Sequence, residues 1–228
     1  MASRPTVHII TSDQHRNGKT LLARVLADYL LLDGRDPFLI DTDAPDAPLR
    51  TYFPGRTQIA DFATVQGQIK IFDTVLASTG RDYVFDLTAK HTTAFFEKAI
   101  ELGFVQELQT LDYSVVVFFI VDNTMDAYKY FIDFKRNFRS SLIIPVRNHF
   151  VGSMLPQEES ALDLPTLDEE TMRAITHRHF SLREYVLGDP QNLPAQLDIN
   201  LKRFVYKVMQ EFTNIELQLS LMKIRLNE

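Results

Sequence analysis

Short apolar runs rich in β-branched and aromatic residues alternate along this chain with longer amphipathic segments. The short runs predict buried strands at residues 6–11, 37–41, 83–86, 114–121 and 142–146. The longer segments, with apolar positions three and four residues apart, predict helices at residues 19–33, 61–78, 91–109, 124–138, 168–185 and 200–212. Strands that alternate with helices of this length predict an α/β fold, with a doubly wound, mostly parallel sheet and helices on both faces.

Two segments fit this alternation less well. Residues 151–165, VGSMLPQEESALDLP, are rich in Pro, Ser and Glu, which favours a surface excursion. In the tail, residues 213–228, the apolar residues alternate with period two from Ile215 to Leu221, but on a helix they would form two opposite stripes. Packing between partners and packing on its own domain are both open for this tail. Because no repeat is visible, we expect residues 1–228 to form a single domain, with a tail of uncertain role.

Composition and charge narrow the class of protein. The chain has no cysteine, which excludes disulfides and thiolate metal sites. It lacks a signal peptide and a stretch of about 18 apolar residues, so we expect a cytoplasmic protein without a transmembrane segment. The net charge of -6 argues against nucleic-acid binding over the whole surface. Local binding through Lys135, Arg136 and Arg139 or through Lys202, Arg203 and Lys207 stays open, although each cluster fits an ordinary solvated helix face equally well.

The clearest candidate for chemistry is VHIITSDQHRNGKT, residues 7–20. It ends in Gly18-Lys19-Thr20 after the first predicted strand and opens a helix, which is where a phosphate-binding loop functions. There Lys19 would contact the β- and γ-phosphates and Thr20 would ligate Mg²⁺. Asp13 occupies the position of the first glycine, so only half of the pattern is intact. The alternative is that Gly18 merely forms the turn and the next two side chains are solvated.

Acidic residues end two more predicted strands. Asp41 and Asp43 follow FLI two residues apart, so they point the same way, and Asp86 ends the apolar run YVFD as in a Walker B element. At the carboxyl edge of a parallel sheet these carboxylates would face the loop. They could hold Mg²⁺ through water and position an attacking water. The alternative is that Asp41, Asp43 and Asp46 are solvated loop residues, and that Asp86 is simply an acid that ends a buried strand.

The order of these motifs resembles the ParA/MinD family of dimeric P-loop ATPases. GKT is followed by LIDTDAP, VFDLT, a long apolar strand, IIPVRNHF and a later LP, and the likeness extends over residues 7–212. The resemblance implies a homodimer that sandwiches ATP. It also implies that hydrolysis releases the dimer from a partner surface such as DNA or a membrane.

The resemblance also implies a role for each matching residue. Asp43 corresponds to the switch aspartate that acts on the hydrolytic water, and Asp86 to the acid that opens the second switch. Asn148 corresponds to the asparagine that recognises adenine, and the segment around Pro165 would lie near the same base. The predicted site is Arg16, Asn17, Gly18, Lys19, Thr20, Leu21 and Asn148 for ATP, Thr20, Asp43 and Asp86 for Mg²⁺, and Asp43 and Lys19 for catalysis.

The loop also departs from the family. The family's loop reads KGGVGKT, and its signature lysine, which reaches the phosphates of the partner subunit, aligns with the neutral Gln14. His15 and Arg16 replace the two glycines that follow. Arg16 could supply a substitute positive charge or could be a solvated loop arginine. Asp13 would repel ATP unless Arg16 or Mg²⁺ offsets its charge.

Three functions are compatible with the sequence. The first is an ATP-dependent switch that hydrolyses ATP slowly and acts through a protein partner such as a DNA-binding adaptor. Its atypical loop resembles the StbB proteins of conjugative plasmids, which implies a part in plasmid positioning, segregation or conjugative transfer. The second is a degenerate, hydrolysis-deficient scaffold that binds a partner. The third is a small-molecule kinase, for which no acceptor-substrate motif is apparent.

Overall fold

A seven-stranded, fully parallel sheet runs through the part of the chain that the computed structural model describes, residues 4–77, 80–177, 180–188 and 193–226. The strand order is β3-β2-β4-β1-β5-β6-β7. The strands are β1 (Thr6–Thr11), β2 (Phe38–Asp41), β3 (Thr57–Ile59), β4 (Tyr83–Asp86), β5 (Ser114–Ile120), β6 (Leu142–Asn148) and β7 (Leu162–Leu164). The predicted doubly wound parallel sheet is therefore confirmed.

Helices cover both faces of the sheet. They are α1 (Lys19–Leu32), α2 (Pro48–Tyr52), α3 (Val65–Ala77), α4 (Thr92–Glu101), α5 (Phe104–Thr110), α6 (Met125–Asn137), α7 (Glu169–His177), α8 (Leu182–Val186) and α9 (Ala195–Leu226). In β5, Val116 and Phe118 join the core on the side of α1 and α9, whereas Val117 and Phe119 join the core on the side of α3 to α6. Because side chains alternate along a strand, each central strand supplies both cores.

Several predicted helices are shorter than expected. The single helix predicted at residues 91–109 is wrong, because a 3₁₀ turn at Ala89–His91 precedes α4 and Gly103, with φ 61°, separates α4 from α5. The helix predicted at 168–185 is likewise split into α7 and α8, with residues 178–179 between them outside the described part. The helix predicted at 61–78 begins only at Val65, after a turn in which Asp61 accepts a hydrogen bond from the Ala63 amide. Its last predicted residue, Ser78, lies outside the described residues.

Two edge strands were not predicted. β3 and β7 have three residues each, which is too few for an apolar period to be recognised. Residues 151–165 are therefore only partly a surface excursion, since β7 pairs with β6 at their end. Arg147 fastens the excursion, because its guanidinium lies 2.9 Å from Asp163 Oδ1 and donates to the Pro156 carbonyl at 2.9 Å.

The tail continues α9 as a helix over residues 213–226. Ile215 and Leu219 pack on the core, whereas Leu217 and Leu221 lie on the exposed side, so the period-two leucines do form two stripes. Glu216 accepts a hydrogen bond from Tyr29 Oη of α1 at 2.9 Å, which holds this part of the tail to its own chain. Within the described part of the chain, no helix combines the length and the apolar character that crossing a membrane requires.

A buried histidine makes the stability of this fold pH-dependent. His8 lies in the middle of β1 with 4% of its surface exposed, stacks on Phe118 at a centroid distance of 6.1 Å, and has no hydrogen-bond partner for either ring nitrogen among the described residues. Burial lowers the pKa of His8 from 6.5 to about 4, with nearby Asp82 raising it and Arg35 lowering it further. The fold therefore favours the neutral ring.

We expect the stabilisation from neutral His8 to be complete above pH 6.5 and to be lost as the pH falls towards 4. Relative to His8→Leu, wild type should lose up to about 3 kcal/mol of unfolding free energy over that range. Urea unfolding of both proteins across the pH series measures this difference. A constant difference would show that the pKa of His8 is the same in the folded and unfolded states, which contradicts the effect of burial.

Candidate functional site

The loop between β1 and α1 has positive φ angles at Arg16 and Gly18, although only the second of these residues is a glycine. Gly18 has φ 100°, and a Cβ at this position would lie 2.6 Å from Nδ2 of Asn148, so only glycine fits without rearrangement. Arg16 has φ 56°, a left-handed conformation that costs a non-glycine residue about 1–2 kcal/mol. The loop therefore holds a strained arginine where the resembling family places glycine.

Lys19 is fixed at the N-terminus of α1. Its Nζ donates to Ser12 Oγ at 2.9 Å, to the Gln14 carbonyl at 2.6 Å and to Asn17 Oδ1 at 3.2 Å. Burial lowers the pKa of Lys19, whereas the carboxylates of Asp86, Asp13 and Asp43 raise it. The net effect lowers the pKa of Lys19, so burial outweighs the attraction of these carboxylates for the charged ammonium.

Thr20 links the loop helix to the end of β4. Its hydroxyl donates to Asp86 Oδ2 at 2.6 Å. Burial raises the pKa of Asp86 to about 7, and the charge of Asp41, its partner in the β2–β4 ladder, raises it as well, while Thr20 and Lys19 lower it. Asp86 is therefore easier to protonate than a solvated aspartate.

Asp41 and Asp43 have different surroundings although they are only two residues apart. Asp41 is fully buried and accepts hydrogen bonds from the backbone amides of Asp43 at 2.9 Å and Leu49 at 2.8 Å. Asp43 is half-exposed and lies 3.9 Å from Lys90 Nζ. Asp41 therefore supports the loop after β2, whereas the carboxylate of Asp43 is accessible.

A pocket of about 720 Å³ opens at this edge of the sheet. It is lined by His15, Arg16, Gly18, Lys19, Thr20, Leu21, Asp43, Asp86 and Thr88. It brings together every predicted site residue except Asn17 and Asn148. Sequence reasoning missed Thr88, which carries no motif signal beyond its position two residues after Asp86. Among the residues that the structure describes, no group of three or more His, Asp or Glu side chains could hold a metal ion by itself.

Asn17 and Asn148 support the loop from behind. Asn17 is 1% exposed, and its Oδ1 accepts from Lys19 and Ser12, whereas its Nδ2 has no partner among the described residues. Asn148 donates from Nδ2 to the Asn17 carbonyl at 2.7 Å and accepts from the Phe150 amide at 3.0 Å. The structure thus places Asn148 against the loop backbone, and its recognition of adenine stays a prediction.

A second pocket, of about 370 Å³, lies beside the loop. It is lined by Pro165, Thr166, Asp168, Asn200, Arg203, Phe204 and Lys207. Leu164, the residue before Pro165, lies next to the loop, because its Cδ2 would be 3.6 Å from a Cβ added to Gly18. The segment around Pro165, which the resemblance places near the base, therefore begins next to the loop between β1 and α1.

Charged residues outside the pockets are largely paired. Asp13 accepts from Gln14 Nε2 at 3.1 Å and is not among the lining residues of the first pocket, although its charge raises the pKa of Lys19. In the two basic clusters, carboxylates lie within 4 Å of Lys135, Arg136 and Lys202. These pairs reduce the positive charge that either cluster could offer to nucleic acid.

The structure thus combines a parallel sheet in the order β3-β2-β4-β1-β5-β6-β7 with a Gly-Lys-Thr loop between its central strand and the first helix. A scan against protein-family models finds no match, and a search of curated proteins finds none either. Solved structures do match. They include MinD of the cell division machinery of Aquifex aeolicus (16% identity, 92% of this chain and 97% of that chain, TM-score 0.53) and the same organism's MinC:MinD complex (14% identity, 92% and 96%, TM-score 0.53).

A third match is a putative plasmid partition protein of Borrelia burgdorferi bound to AMPPNP, with 12% identity over 92% of this chain and 99% of that chain, and a TM-score of 0.50. Each match covers nearly the whole of both chains. The predicted resemblance to ParA/MinD proteins is therefore confirmed at the level of the fold.

Proposed function

We propose that this protein is an ATP-binding switch that hydrolyses ATP slowly. The observation that carries the proposal is the pocket at the N-terminus of α1, where Lys19, Thr20, Asp43 and Asp86 converge. These are the side chains that a P-loop ATPase needs for phosphate binding, metal binding and activation of water. A nucleoside triphosphate with Mg²⁺ fits this set of groups, and the resemblance to ParA/MinD proteins supports ATP.

The loop offers the donors that a polyphosphate requires. Backbone amides at the start of a 14-residue helix favour anions, and Lys19 adds a fixed positive charge. Nδ2 of Asn17 is a buried donor without a partner among the described residues, which is costly unless a ligand or water satisfies it. Gly18 keeps the backbone of the loop free of a side chain.

The donors present also fit Mg²⁺. This ion favours one or two protein oxygens together with water and phosphate oxygens, so the absence of a three-carboxylate group among the described residues agrees with it. The Thr20 hydroxyl and the Asp86 carboxylate, which already contact each other, are the candidate ligands, with Asp43 near them. Bound Mg²⁺ would offset phosphate charge and favour the ionised form of Asp86.

Arg16 is the candidate replacement for the signature lysine. Gln14 cannot supply charge, and its side chain is bound to Asp13. Arg16 lines the pocket in a strained conformation, and such strain is typical of functional positions. We infer that its guanidinium binds phosphate oxygens, either within its own subunit or across a homodimer that encloses ATP.

The biological role that we propose is positioning, segregation or conjugative transfer of plasmid DNA through a protein partner. Two fold neighbours support it, one described as a MinC:MinD complex and the other as a plasmid partition protein. The loop's likeness to StbB proteins points to a DNA-binding adaptor as the partner. We also propose that the chain is a single domain and acts in the cytoplasm.

One observation favours a second function, that of a partner-binding scaffold without turnover. The Lys19 ammonium has three acceptors within its own loop, so the loop can satisfy this lysine without nucleotide. Calorimetry with ATP and ADP in the presence of Mg²⁺ separates the two functions. Binding of ATP followed by slow phosphate release supports the switch, whereas no turnover, with or without binding, supports the scaffold.

We expect Asp43→Ala to bind ATP within about threefold of wild type but to release phosphate at least about 100 times more slowly, because the variant loses the group that positions the attacking water. Phosphate release measured at saturating ATP tests this expectation. Asp46→Ala is the matched control, since Asp46 is an exposed aspartate of the same loop that does not line the pocket. Unchanged turnover in Asp43→Ala would remove Asp43 from the mechanism.

A further inference from the structure

Thr88 carries a buried hydroxyl that the structure leaves unused. It follows Asp86 by two residues, lines the first pocket and is 6% exposed. Its Oγ1 is shielded from solvent and has no hydrogen-bond partner among the described residues. A buried hydroxyl without a partner destabilises a fold, so a polar residue kept in such a place suggests a bound group that supplies the partner.

The neighbouring hydroxyls do not share this property. Thr42 Oγ1 donates to the Asp86 carbonyl, and the Thr11 and Thr92 hydroxyls are 2.7 Å apart. The Thr20 hydroxyl is bound to Asp86. At this edge of the sheet, the hydroxyl of Thr88 therefore stands out from those around it, because a ligand could engage it without breaking an existing hydrogen bond.

The backbone of Thr88 is nevertheless firmly held. Its amide donates to Thr42 Oγ1 at 2.9 Å, and its carbonyl accepts from the His91 amide at 3.0 Å. Neither contact uses the Thr88 side chain. A substitution that keeps the branched shape should therefore leave the backbone in place, and rotation about the Cα–Cβ bond costs the hydroxyl no partner.

We propose that Thr88 is a specificity-determining residue that distinguishes ATP from ADP by donating a hydrogen bond to an oxygen of the third phosphate. This inference rests on the proposed nucleotide function. Lys19 and Thr20 line the pocket from the N-terminus of α1, and Thr88 lines the same pocket from the segment two residues after the end of β4. On this proposal, a phosphate chain bound at the N-terminus of α1 would contact Thr88 through its last phosphate, which ADP lacks.

The test is calorimetry with Mg²⁺ and either the slowly hydrolysed analogue AMPPNP or ADP, on wild type and Thr88→Val. Valine keeps the shape and removes the hydroxyl. We expect affinity for the triphosphate to fall about tenfold, with ADP affinity unchanged. Thr88→Ser should retain discrimination. Thermal unfolding of Thr88→Val without nucleotide should occur at the same or a higher temperature, because a hydroxyl without a partner is removed.

Ser141→Ala is the matched control, since Ser141 also has a buried hydroxyl without a partner among the described residues but precedes β6, at the amino edge of the sheet. It should bind both nucleotides as wild type does. Equal loss of triphosphate and ADP affinity in Thr88→Val, or no loss, would overturn the role of Thr88. Failure of wild type to bind either nucleotide would instead overturn the proposed function itself.

Discussion

Replacing Lys19 with alanine is expected to lower affinity for ATP at least about 100-fold, because the change removes the one lysine that lines the first pocket. The ammonium is held by the loop at the N-terminus of α1, so its loss takes away a charge that is already in place. The measurement is calorimetry with Mg²⁺ and ATP. A Kd within threefold of wild type would rule out the proposed phosphate site.

The control for this variant is Lys129→Ala, which makes the same change at an exposed lysine of α6. It should bind ATP as wild type does. Circular dichroism of Lys19→Ala should show the helix content of wild type, because the core on both faces of the sheet does not depend on this ammonium. Lost binding combined with retained helix content assigns the effect to the site.

Replacing Asp86 with asparagine is expected to have opposite effects on stability and on function. The pKa of Asp86 is raised to about 7, so its contribution to stability is complete below pH 3.8 and is lost as the pH rises through 7. Near neutral pH the amide should raise the unfolding free energy by roughly 2 kcal/mol, because it avoids a buried charge beside Asp41. At the same time, affinity for Mg²⁺ and ATP should fall about 10- to 100-fold.

The two effects are measured separately. Urea unfolding of Asp86→Asn and wild type without nucleotide, at acidic and at neutral pH, gives the stability difference, which should be small in acid and grow towards neutrality. Protonation of His8 destabilises the fold in acid, whereas ionisation of Asp86 destabilises it towards neutral pH. Because wild type contains both groups, each variant is compared with wild type at every pH. A less stable Asp86→Asn at neutral pH would contradict the raised pKa of Asp86. An unchanged affinity for ATP with Mg²⁺ would contradict the metal-binding role.

The central strands were predictable because each has a strong local signal. β5 is an apolar run after Ser114, and β1 (TVHIIT) is a β-branched run, with all or nearly all of their residues buried. Length and composition identify such runs. β3 and β7 were missed because three residues give no period, and their place in the sheet depends on pairing with distant strands. The break at Gly103 was missed because the apolar pattern continues across it.

The site was predictable in its motif residues but not in its contacts. Lys19, Thr20 and Asp86 come together as their positions in the motifs imply. Sequence spacing treated Asp41 and Asp43 alike, although burial turns the first into an anchor for the loop. Thr88 could not be identified from spacing, because what distinguishes it is the hydrogen bond that it does not make.

The Thr42 hydroxyl couples two segments at the carboxyl edge of the sheet. It donates to the Asp86 carbonyl and accepts from the Thr88 amide, so one side chain joins the start of the Asp43 loop to the segment after β4. In GTPases, two switch segments are ordered by contacts with the third phosphate and its Mg²⁺ and are released on hydrolysis. In this protein the Thr42 hydroxyl hydrogen-bonds the two corresponding segments to each other. A displacement of either segment on phosphate release would therefore move the other one as well.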